Sequence, residues 1–515
     1  MLKVSQTEYK TKHREIIIEM ANATEFGKSG AVSALRMTLK QSGVKFISIR
    51  TVSVSGIVYA KNIALKLLNN DDSFLKGVAF GTCCFALPIM LDTIPIESGI
   101  TATHDLRLVG DLDTLSLPLF NKTRAVMFGN LFNPDGSPSD LCPRFLLQRQ
   151  IKECSEKQNS LKVMVGAEIE FTLTEKHAEN GNSLTINNSH FCVSSDLDDN
   201  RYFIDDAYDW LDSQEVLVEA IHGEAGDGQY EIVLKYTDPV ALADKIITVK
   251  ETLRQVARKY NYDISFLPQP LSNGNDEPCG FNNGLHLHLS IENEEGKNVF
   301  YNHEYASIND NRNAFPPTVS AISNIGQGFI AGILDHIHAL SALTTPSTNS
   351  FRRLMHQGGY VGNFGAWGYD NRQVPLRVCS AMSNNIPRHF EVKMHDSTSN
   401  PYLALCGLIA AGFDGVTKQM SLPEQVTGDP SSFSEEELSR LGIKMLPKNP
   451  LLALDILEND SVLTNAMGET MTKCYIAVRR HEANHFMKLS VEEEILEMRR
   501  RGYQIPKSNR NFLNY

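Results

Sequence analysis

The chain has 515 residues and a formal net charge of −12, a length that can bury a large core and favours one large domain with one or two smaller ones. Without a Lys/Arg block or a basic stripe, the acidic balance predicts no nucleic-acid partner, and no apolar stretch has membrane-spanning length. The nine cysteines are dispersed and never spaced Cys-x-x-Cys. The first thirty residues contain no signal-peptide segment. This absence and the cysteine pattern together predict a cytoplasmic protein with reduced thiols.

The first 141 residues predict helices followed by a small mixed sheet. The turn Ser55-Gly56 separates two apolar stretches and indicates a hairpin. We expect a helical segment over residues 1–43 and a small sheet domain over 44–141. The spacing of apolar residues predicts helices near 11–20 and 30–42 and strands over 45–54, 57–60, 108–117 and 125–132.

Residues 142–515 predict a second, much larger domain, because neither an internal repeat nor a low-complexity linker interrupts them. Asp238-Pro239 and Asn400-Pro401 are typical helix starts, with a capping side chain before a proline at the first helical position. The predicted helices cover 143–156, 239–260, 322–343 and 402–413.

Four segments of this larger domain place polar side chains at positions i and i+2 of an apolar strand, which puts both on one face. The pairs are Glu168/Glu170, His222/Glu224 continuing into Gln229/Glu231, His286/His288 and Glu391/Lys393. Each pair alone is more often a solvated strand face or a satisfied core histidine. If the strands are neighbours, however, five carboxylates share one surface, and that density predicts divalent cations such as Mg²⁺ or Mn²⁺.

Arginines follow in a segment rich in glycine and aromatic residues. They are Arg352, Arg353, Arg372, Arg377 and Arg388. Guanidinium groups match phosphate and carboxylate oxygens in pairs, so a metal cluster facing them favours phosphoryl transfer. The sequence contains no Gly-x-x-x-x-Gly-Lys-Ser/Thr loop, so a nucleotide would be held in another way.

The combination of these segments resembles the glutamine synthetase family, type I, along nearly the whole chain. The matching stretches are Gly166-Ala167-Glu168-Ile169-Glu170-Phe171, the segment from His222 to Glu231, Asn283-Gly284-Leu285-His286-Leu287-His288, Asn349-Ser350-Phe351-Arg352-Arg353-Leu354, Asn371-Arg372, and Ser399-Asn400-Pro401-Tyr402-Leu403-Ala404-Leu405. The resemblance implies an α+β fold. A small β-grasp domain would cover 44–141, and a catalytic domain built on a curved antiparallel sheet flanked by helices would cover 142–515.

The resemblance also implies a role for each site residue. One divalent ion would be held by Glu170, Glu224 and Glu231, and a second by Glu168, His286 and Glu391. Glutamate would be bound by Asn282, Gly284, Arg353 and Lys393, and ATP by His288, Ser290, Arg372 and Arg377. Arg353, Arg372 and Lys393 would act in catalysis.

The implied reaction passes phosphate from ATP to the γ-carboxylate of glutamate, and ammonia or a primary amine then displaces it. Three departures from the family pattern concern the acceptor: Ser53 stands where an aspartate is usual, residues 355–360 lack the flap glutamate, and residues 281–284 read Phe-Asn-Asn-Gly. Similar changes occur in relatives that resemble γ-glutamyl-polyamine synthetases. A homo-oligomeric ring is implied as well.

Two other functions stay open at the level of sequence. A non-catalytic, ring-forming structural relative would tolerate the loss of the acceptor residues. A metal-dependent hydrolase could use the same carboxylates on water, although three phosphate-sized arginine clamps are more than hydrolysis needs.

Overall fold

The computed structural model describes residues 28–68, 76–175, 185–186, 190–271, 282–304, 319–356, 361–380 and 386–501. The helix predicted near residues 11–20, Phe281, and flap residues 357–360 lie outside these ranges. Among the described helices, none is long and apolar enough to cross a lipid bilayer.

A five-stranded sheet follows the first helix, α1 (Lys28–Gln41). Its strand order is β2-β1-β5-β4-β3, with β1 and β5 parallel and the other neighbours antiparallel. Gly56 turns the β1–β2 hairpin with a left-handed φ of 78°, which glycine adopts without strain. The strands are β1 (Phe46–Val52), β2 (Val58–Ala64), β3 (Val78–Gly81), β4 (Asp105–Gly110) and β5 (Arg124–Phe132).

The strand predicted over residues 108–117 is wrong in its extent. The strand β4 ends at Gly110, and a 3-10 turn follows at Leu112–Thr114. The side chain of Asp111 accepts a hydrogen bond from the backbone N–H of Asp113, so this local cap ends the extended chain where apolar spacing alone suggests continuation.

An eight-stranded, mostly antiparallel sheet forms the centre of the larger part of the chain. Its order is β11-β12-β13-β10-β6-β8-β7, and β9 pairs with the far end of β6. Within this sheet, β11 and β12 are the only parallel neighbours among the described strands. These strands are β6 (Lys162–Glu175), β7 (Val218–Gly223), β8 (Gln229–Thr237), β9 (Tyr262–Ser265), β10 (Leu285–Glu292), β11 (Trp367–Tyr369), β12 (Leu376–Ser380) and β13 (Pro387–Val392).

Helices flank this sheet. Both predicted caps form, because Asp238 accepts from the N–H of Ala241 and Asn400 accepts from the N–H groups of Tyr402 and Leu403. The helices are α2 (Pro143–Lys157), α3 (Ser194–Asp199), α4 (Arg201–Asp212), α5 (Pro239–Lys259), α6 (Asn324–Asp335), α7 (Ile337–Thr344), α8 (Thr348–His356), α9 (Pro401–Thr417), α10 (Glu435–Leu441), α11 (Pro450–Glu458), α12 (Ser461–Met467), α13 (Glu469–Phe486) and α14 (Val491–Arg501).

The single helix predicted over residues 322–343 is two helices, α6 and α7, which meet at His336. The imidazole Nδ1 of His336 lies 2.6 Å from Asp460 Oδ2 and its Nε2 lies 3.2 Å from Asp414 Oδ2. Asp414 lies in α9 and Asp460 caps α12, so a tertiary contact accompanies a break that apolar periodicity does not reveal.

The predicted α+β class is confirmed: a β-rich N-terminal region accompanies a large sheet flanked by helices. The boundaries at residues 43 and 141 stay a prediction.

Candidate active site

The predicted metal ligands stand side by side across the large sheet. His286 on β10 is directly opposite Glu168 on β6, and Glu170, two residues further along β6, is opposite Glu231 on β8. Glu391 lies on β13, the other neighbour of β10. Because side chains at i and i+2 share a face, this register gathers residues from four strands that are far apart in sequence.

His286 is the centre of the cluster. Its Nδ1 lies 3.2 Å from Glu168 Oε2 and 3.3 Å from Glu391 Oε1. Its Nε2 lies 3.5 Å from Glu170 Oε1. The other oxygen of Glu170 accepts hydrogen bonds of 2.8 Å from the N–H of Gly284 and from Gln229 Nε2, which orient this carboxylate toward the imidazole.

A second group of donors lies where β7 passes into β8. His222 Nε2 is 3.5 Å from Glu224 Oε1 and 3.6 Å from Glu231 Oε1. Glu224 falls one residue after β7, and Gly228 turns the chain with a φ of 68°. The hairpin therefore returns Glu231 to the side of His222.

The possible metal-ligand atoms of four triplets lie within 4.8 Å of one another, and three of these triplets contain predicted metal ligands. These three triplets are Glu168/Glu231/His286, Glu168/His288/Glu391 and His222/Glu224/Glu231. They contain all the predicted metal ligands except Glu170, which contacts His286. Among the described residues, the predicted division into Glu170/Glu224/Glu231 and Glu168/His286/Glu391 is not one of these close groupings, so that division stays a prediction.

The electrostatics of the cluster favour a bound cation. Burial, followed by the charges of Glu168, Glu170, Glu224 and Glu391, raises the pKa of Glu231 to about 10. A carboxyl group surrounded in this way must keep a proton or neighbour a cation. Carboxylates and imidazoles are donors that Mg²⁺ and Mn²⁺ accept, so the residues present fit such an ion.

Two cations flank Glu391. Arg377 Nε lies 2.5 Å from Glu391 Oε2, and Lys393 Nζ lies 3.5 Å from Oε1. Burial would raise the pKa of Glu391, but Lys393, His286, His288 and Arg377 outweigh it and lower this pKa to about 2. Glu391 is therefore ionised at neutral pH.

A buried guanidinium lies beside the carboxylates. Arg353 on α8 donates to the carbonyl oxygens of Lys393, Met394 and His395 at 3.3–3.5 Å. Its Nε is buried without a hydrogen-bond partner among the described residues, as are both polar side-chain atoms of Asn282. A Cβ added to Gly284 would lie 2.7 Å from Arg353 Nη2. Unsatisfied buried donors are costly, so this corner is suited to a polar ligand.

The predicted ATP-binding residues are only partly together. His288 Nε2 lies 3.1 Å from Glu168 Oε1, Ser290 follows two residues later on the same face of β10, and Arg377 contacts Glu391. Arg372 is exposed in the turn between β11 and β12. In the described part of the chain, no recorded hydrogen bond or ion pair joins Arg372 to the cluster.

The sequence analysis misses two possible metal ligands, Cys379 and His389, and gives no ligand role to a third, His222. Cys379 and His389 form a close triplet with His288, and the rings of His288 and His389 are 5.1 Å apart. His389 alternates with Glu391 on β13, a signal that could have found it. The sequence pattern pairs His222 with Glu224 but assigns His222 no ligand role.

Ser53 lies in the β1–β2 turn and is fully buried. Its hydroxyl accepts a hydrogen bond from the N–H of Ile57, and its carbonyl accepts one from Asn400 Nδ2 of the same chain. The turn therefore contacts the start of α9 within a single subunit.

The fold and the site together define a protein with a buried cluster of carboxylates and imidazoles on an eight-stranded sheet flanked by helices. The model of the glutamine synthetase catalytic domain matches residues 140–498. The chain therefore belongs to the glutamine synthetase family, a family of ATP-dependent ligases.

Individual relatives agree with this membership. Glutamine synthetase of Methanocaldococcus jannaschii is 32% identical over 87% of this chain and 93% of the relative. The gamma-glutamylpolyamine synthetase GlnA3 of Streptomyces coelicolor is 29% identical over 89% and 94%. A crystal structure of a glutamine synthase homologue matches 88% of this chain and 97% of its own, with a TM-score of 0.73 and 25% identity. Ligand-free GmaS matches with the same TM-score over 89% and 98%, at 21% identity.

Proposed function

We propose that this protein uses ATP to join the γ-carboxylate of glutamate to ammonia or a primary amine, through γ-glutamyl phosphate. The observation that carries the proposal is the convergence of Glu168, Glu170 and Glu391 on His286, beside the buried guanidinium of Arg353. A cluster of side chains that can hold divalent cations, next to a guanidinium that can bind a carboxylate, suits the transfer of phosphate to a carboxylate.

Two Mg²⁺ or Mn²⁺ ions would be held by Glu170, Glu224, Glu231, Glu168, His286 and Glu391. When bound, such ions neutralise phosphate oxygens. The buried carboxylates support this assignment, since their mutual repulsion is relieved by a divalent cation.

The side chains round the cations divide the remaining work. Arg353 would bind the α-carboxylate of glutamate, with Asn282 and the N–H of Gly284 at the same corner. Lys393 would face the transferred phosphoryl group and lower its charge as the bond forms. His288, Ser290, Arg372 and Arg377 would contact ATP. Because Arg372 is exposed, its contact would require bound nucleotide or closure of the neighbouring turn.

A primary amine larger than ammonia is the acceptor that the sequence departures favour. An aspartate at position 53 would attract NH₄⁺, whereas the Ser53 hydroxyl carries no charge and is occupied by Ile57. The similarity to a gamma-glutamylpolyamine synthetase supports the same direction. We also propose a homo-oligomeric ring in the cytoplasm; the free thiols of every described cysteine suit that compartment.

Phosphate release from ATP tests the reaction. With glutamate and an amine present, Glu170→Ala should lower release about 100-fold or more, since side chains that only orient metal ligands already contribute about 10–100-fold and Glu170 is proposed as a ligand itself. Glu175→Ala is the matched control, because Glu175 ends the same strand but is exposed. Undiminished release by Glu170→Ala contradicts the proposed function.

A panel of ammonia, putrescine and ethanolamine identifies the acceptor. We expect a higher kcat/KM with an amine than with ammonia. A low KM for ammonia would contradict the choice of acceptor while leaving the ligase intact. A non-catalytic relative, the alternative function, would neither bind Mg²⁺ and ATP in calorimetry nor release phosphate.

A further inference from the structure

A cavity lies between the N-terminal sheet and helix α5, and none of its lining residues belongs to the candidate active site. Its volume is about 320 Å³. One wall is the face of β1, β2 and β5, and the opposite wall is α5. The charged or polar lining includes Ser48, Arg50, Arg124, Glu251, Gln255 and Arg258.

The charge in this cavity is strongly unbalanced. Arg50, Arg124 and Arg258 contribute three guanidinium groups, against the single carboxylate of Glu251. That carboxylate is already engaged, because Arg254 Nη1 lies 2.5 Å from Glu251 Oε1 on the same helix. The cavity therefore carries a net positive charge that its own acid does not neutralise.

Arg50 is buried and Arg124 is partly buried. Arg50 is 9% exposed, and burial lowers its pKa, an effect that Glu251 opposes and Arg124 reinforces. The Nε of Arg124 is buried and has no hydrogen-bond partner among the described residues. Buried N–H donors normally have acceptors, so a ligand that supplies oxygen atoms would complete the site.

We propose that this cavity binds a small oxyanion with two negative charges, of the phosphate or dicarboxylate type. Guanidinium groups bind such oxygens with paired, charge-assisted hydrogen bonds. Three of them on two walls hold the anion between the N-terminal sheet and α5. The ring of Phe120 and Pro118 form an apolar edge, which limits the anion to a compact one.

Titration calorimetry of the full-length protein tests the site, with inorganic phosphate in one arm and succinate in the other, at an ionic strength matched with chloride. We expect saturable binding in at least one arm; a response to phosphate alone or to succinate alone identifies which oxyanion chemistry is recognised. Arg124→Met should weaken it about tenfold or more, since a charge-assisted hydrogen bond is worth that much. Arg50→Met should act likewise.

Two controls keep the result interpretable. Arg107→Met removes an exposed arginine of β4 in the same sheet and should leave binding unchanged. Arg353→Met separates this site from phosphate bound at the candidate active site, and binding should survive it. The proposal is overturned if neither anion saturates, if Arg124→Met and Arg107→Met bind alike, or if only Arg353→Met loses binding. Should Arg50→Met fail to fold, Arg124→Met decides alone.

Discussion

Gly284 faces Arg353 so closely that a Cβ on this glycine would lie 2.7 Å from Arg353 Nη2 and 2.6 Å from His286 Nε2. The backbone immediately before β10 thus lies between the guanidinium and the central imidazole. Both neighbours are buried, so an added Cβ would have to displace one or both of them.

Gly284→Ala should therefore impair activity far more than folding. Displacing the two side chains misplaces reacting groups, which costs about 100-fold in rate for a shift of about 1 Å. Steady-state kinetics should show a raised KM for glutamate and a lowered kcat. In Gly166→Ala the added Cβ meets its nearest neighbour at an ordinary 3.5 Å, so that variant should remain active. Equal activities would contradict the packing argument.

Glu231→Gln should separate stability from function. The folded protein holds the pKa of Glu231 at about 10, against an ordinary value of 4.5. Between these values the fold retains a proton that the unfolded chain releases, so stability in EDTA should fall as the pH rises. Gln mimics the protonated group, so the variant should lose less stability between about pH 5 and about pH 9.

Adding metal tests whether Glu231 is a ligand, whereas the measurement in EDTA tests its protonation. Mg²⁺ or Mn²⁺ should raise the melting temperature of the wild-type protein by mass action. The rise should shrink in Glu231→Gln, together with a loss of phosphate release. A variant stabilised by metal as strongly as the wild type would remove Glu231 from the ligand set.

The imidazole of His336, which lies between Asp414 and Asp460, should make the free energy of unfolding depend on pH. Burial would lower the pKa of His336, but hydrogen bonds to Asp460 and Asp414 raise it above the ordinary 6.5. Its contribution is therefore complete below about pH 6.5 and disappears as the pH rises through the folded pKa. His336→Gln should cost about 1–3 kcal/mol at low pH and flatten this part of the profile in urea denaturation.

His338 is the matched control for that measurement. It lies two residues later, its Nε2 donates a hydrogen bond to the carbonyl oxygen of Met445, and burial lowers its pKa. His338→Gln should not remove the loss of stability above pH 6.5. If it does so as fully as His336→Gln, the assignment to His336 is wrong.

Arg144 links the N-terminal region to two helices of the larger part. Its Nη2 lies 2.8 Å from Asp111 Oδ2 and 3.0 Å from Asp244 Oδ2, and the hydroxyl of Tyr402 donates to Asp244. Arg144→Met leaves Asp244 buried without its cation and should lower the free energy of unfolding by about 3–5 kcal/mol. The double variant Arg144→Met/Asp244→Leu should recover part of this loss; a further loss would contradict the mechanism.

Several features of this protein were predictable from local sequence. Period-2 alternation puts Glu168 and Glu170 on one face, and the caps at Asp238 and Asn400 begin their helices as expected. These features depend on residues a few positions apart, which is the range over which backbone geometry acts. The family resemblance added the predicted roles of the site residues, which stay predictions.

Tertiary structure decided which strands are neighbours. The sequence separates His286 from Glu168 by more than 100 positions, and only the sheet order places them opposite each other. Tertiary structure also decided the break between α6 and α7 at His336, the position of His222 beside Glu224 and Glu231, and the positively charged cavity round Arg124. Each of these depends on side chains supplied by distant elements, because burial and charge act through space while sequence periodicity records only the direction in which a side chain leaves its own strand or helix.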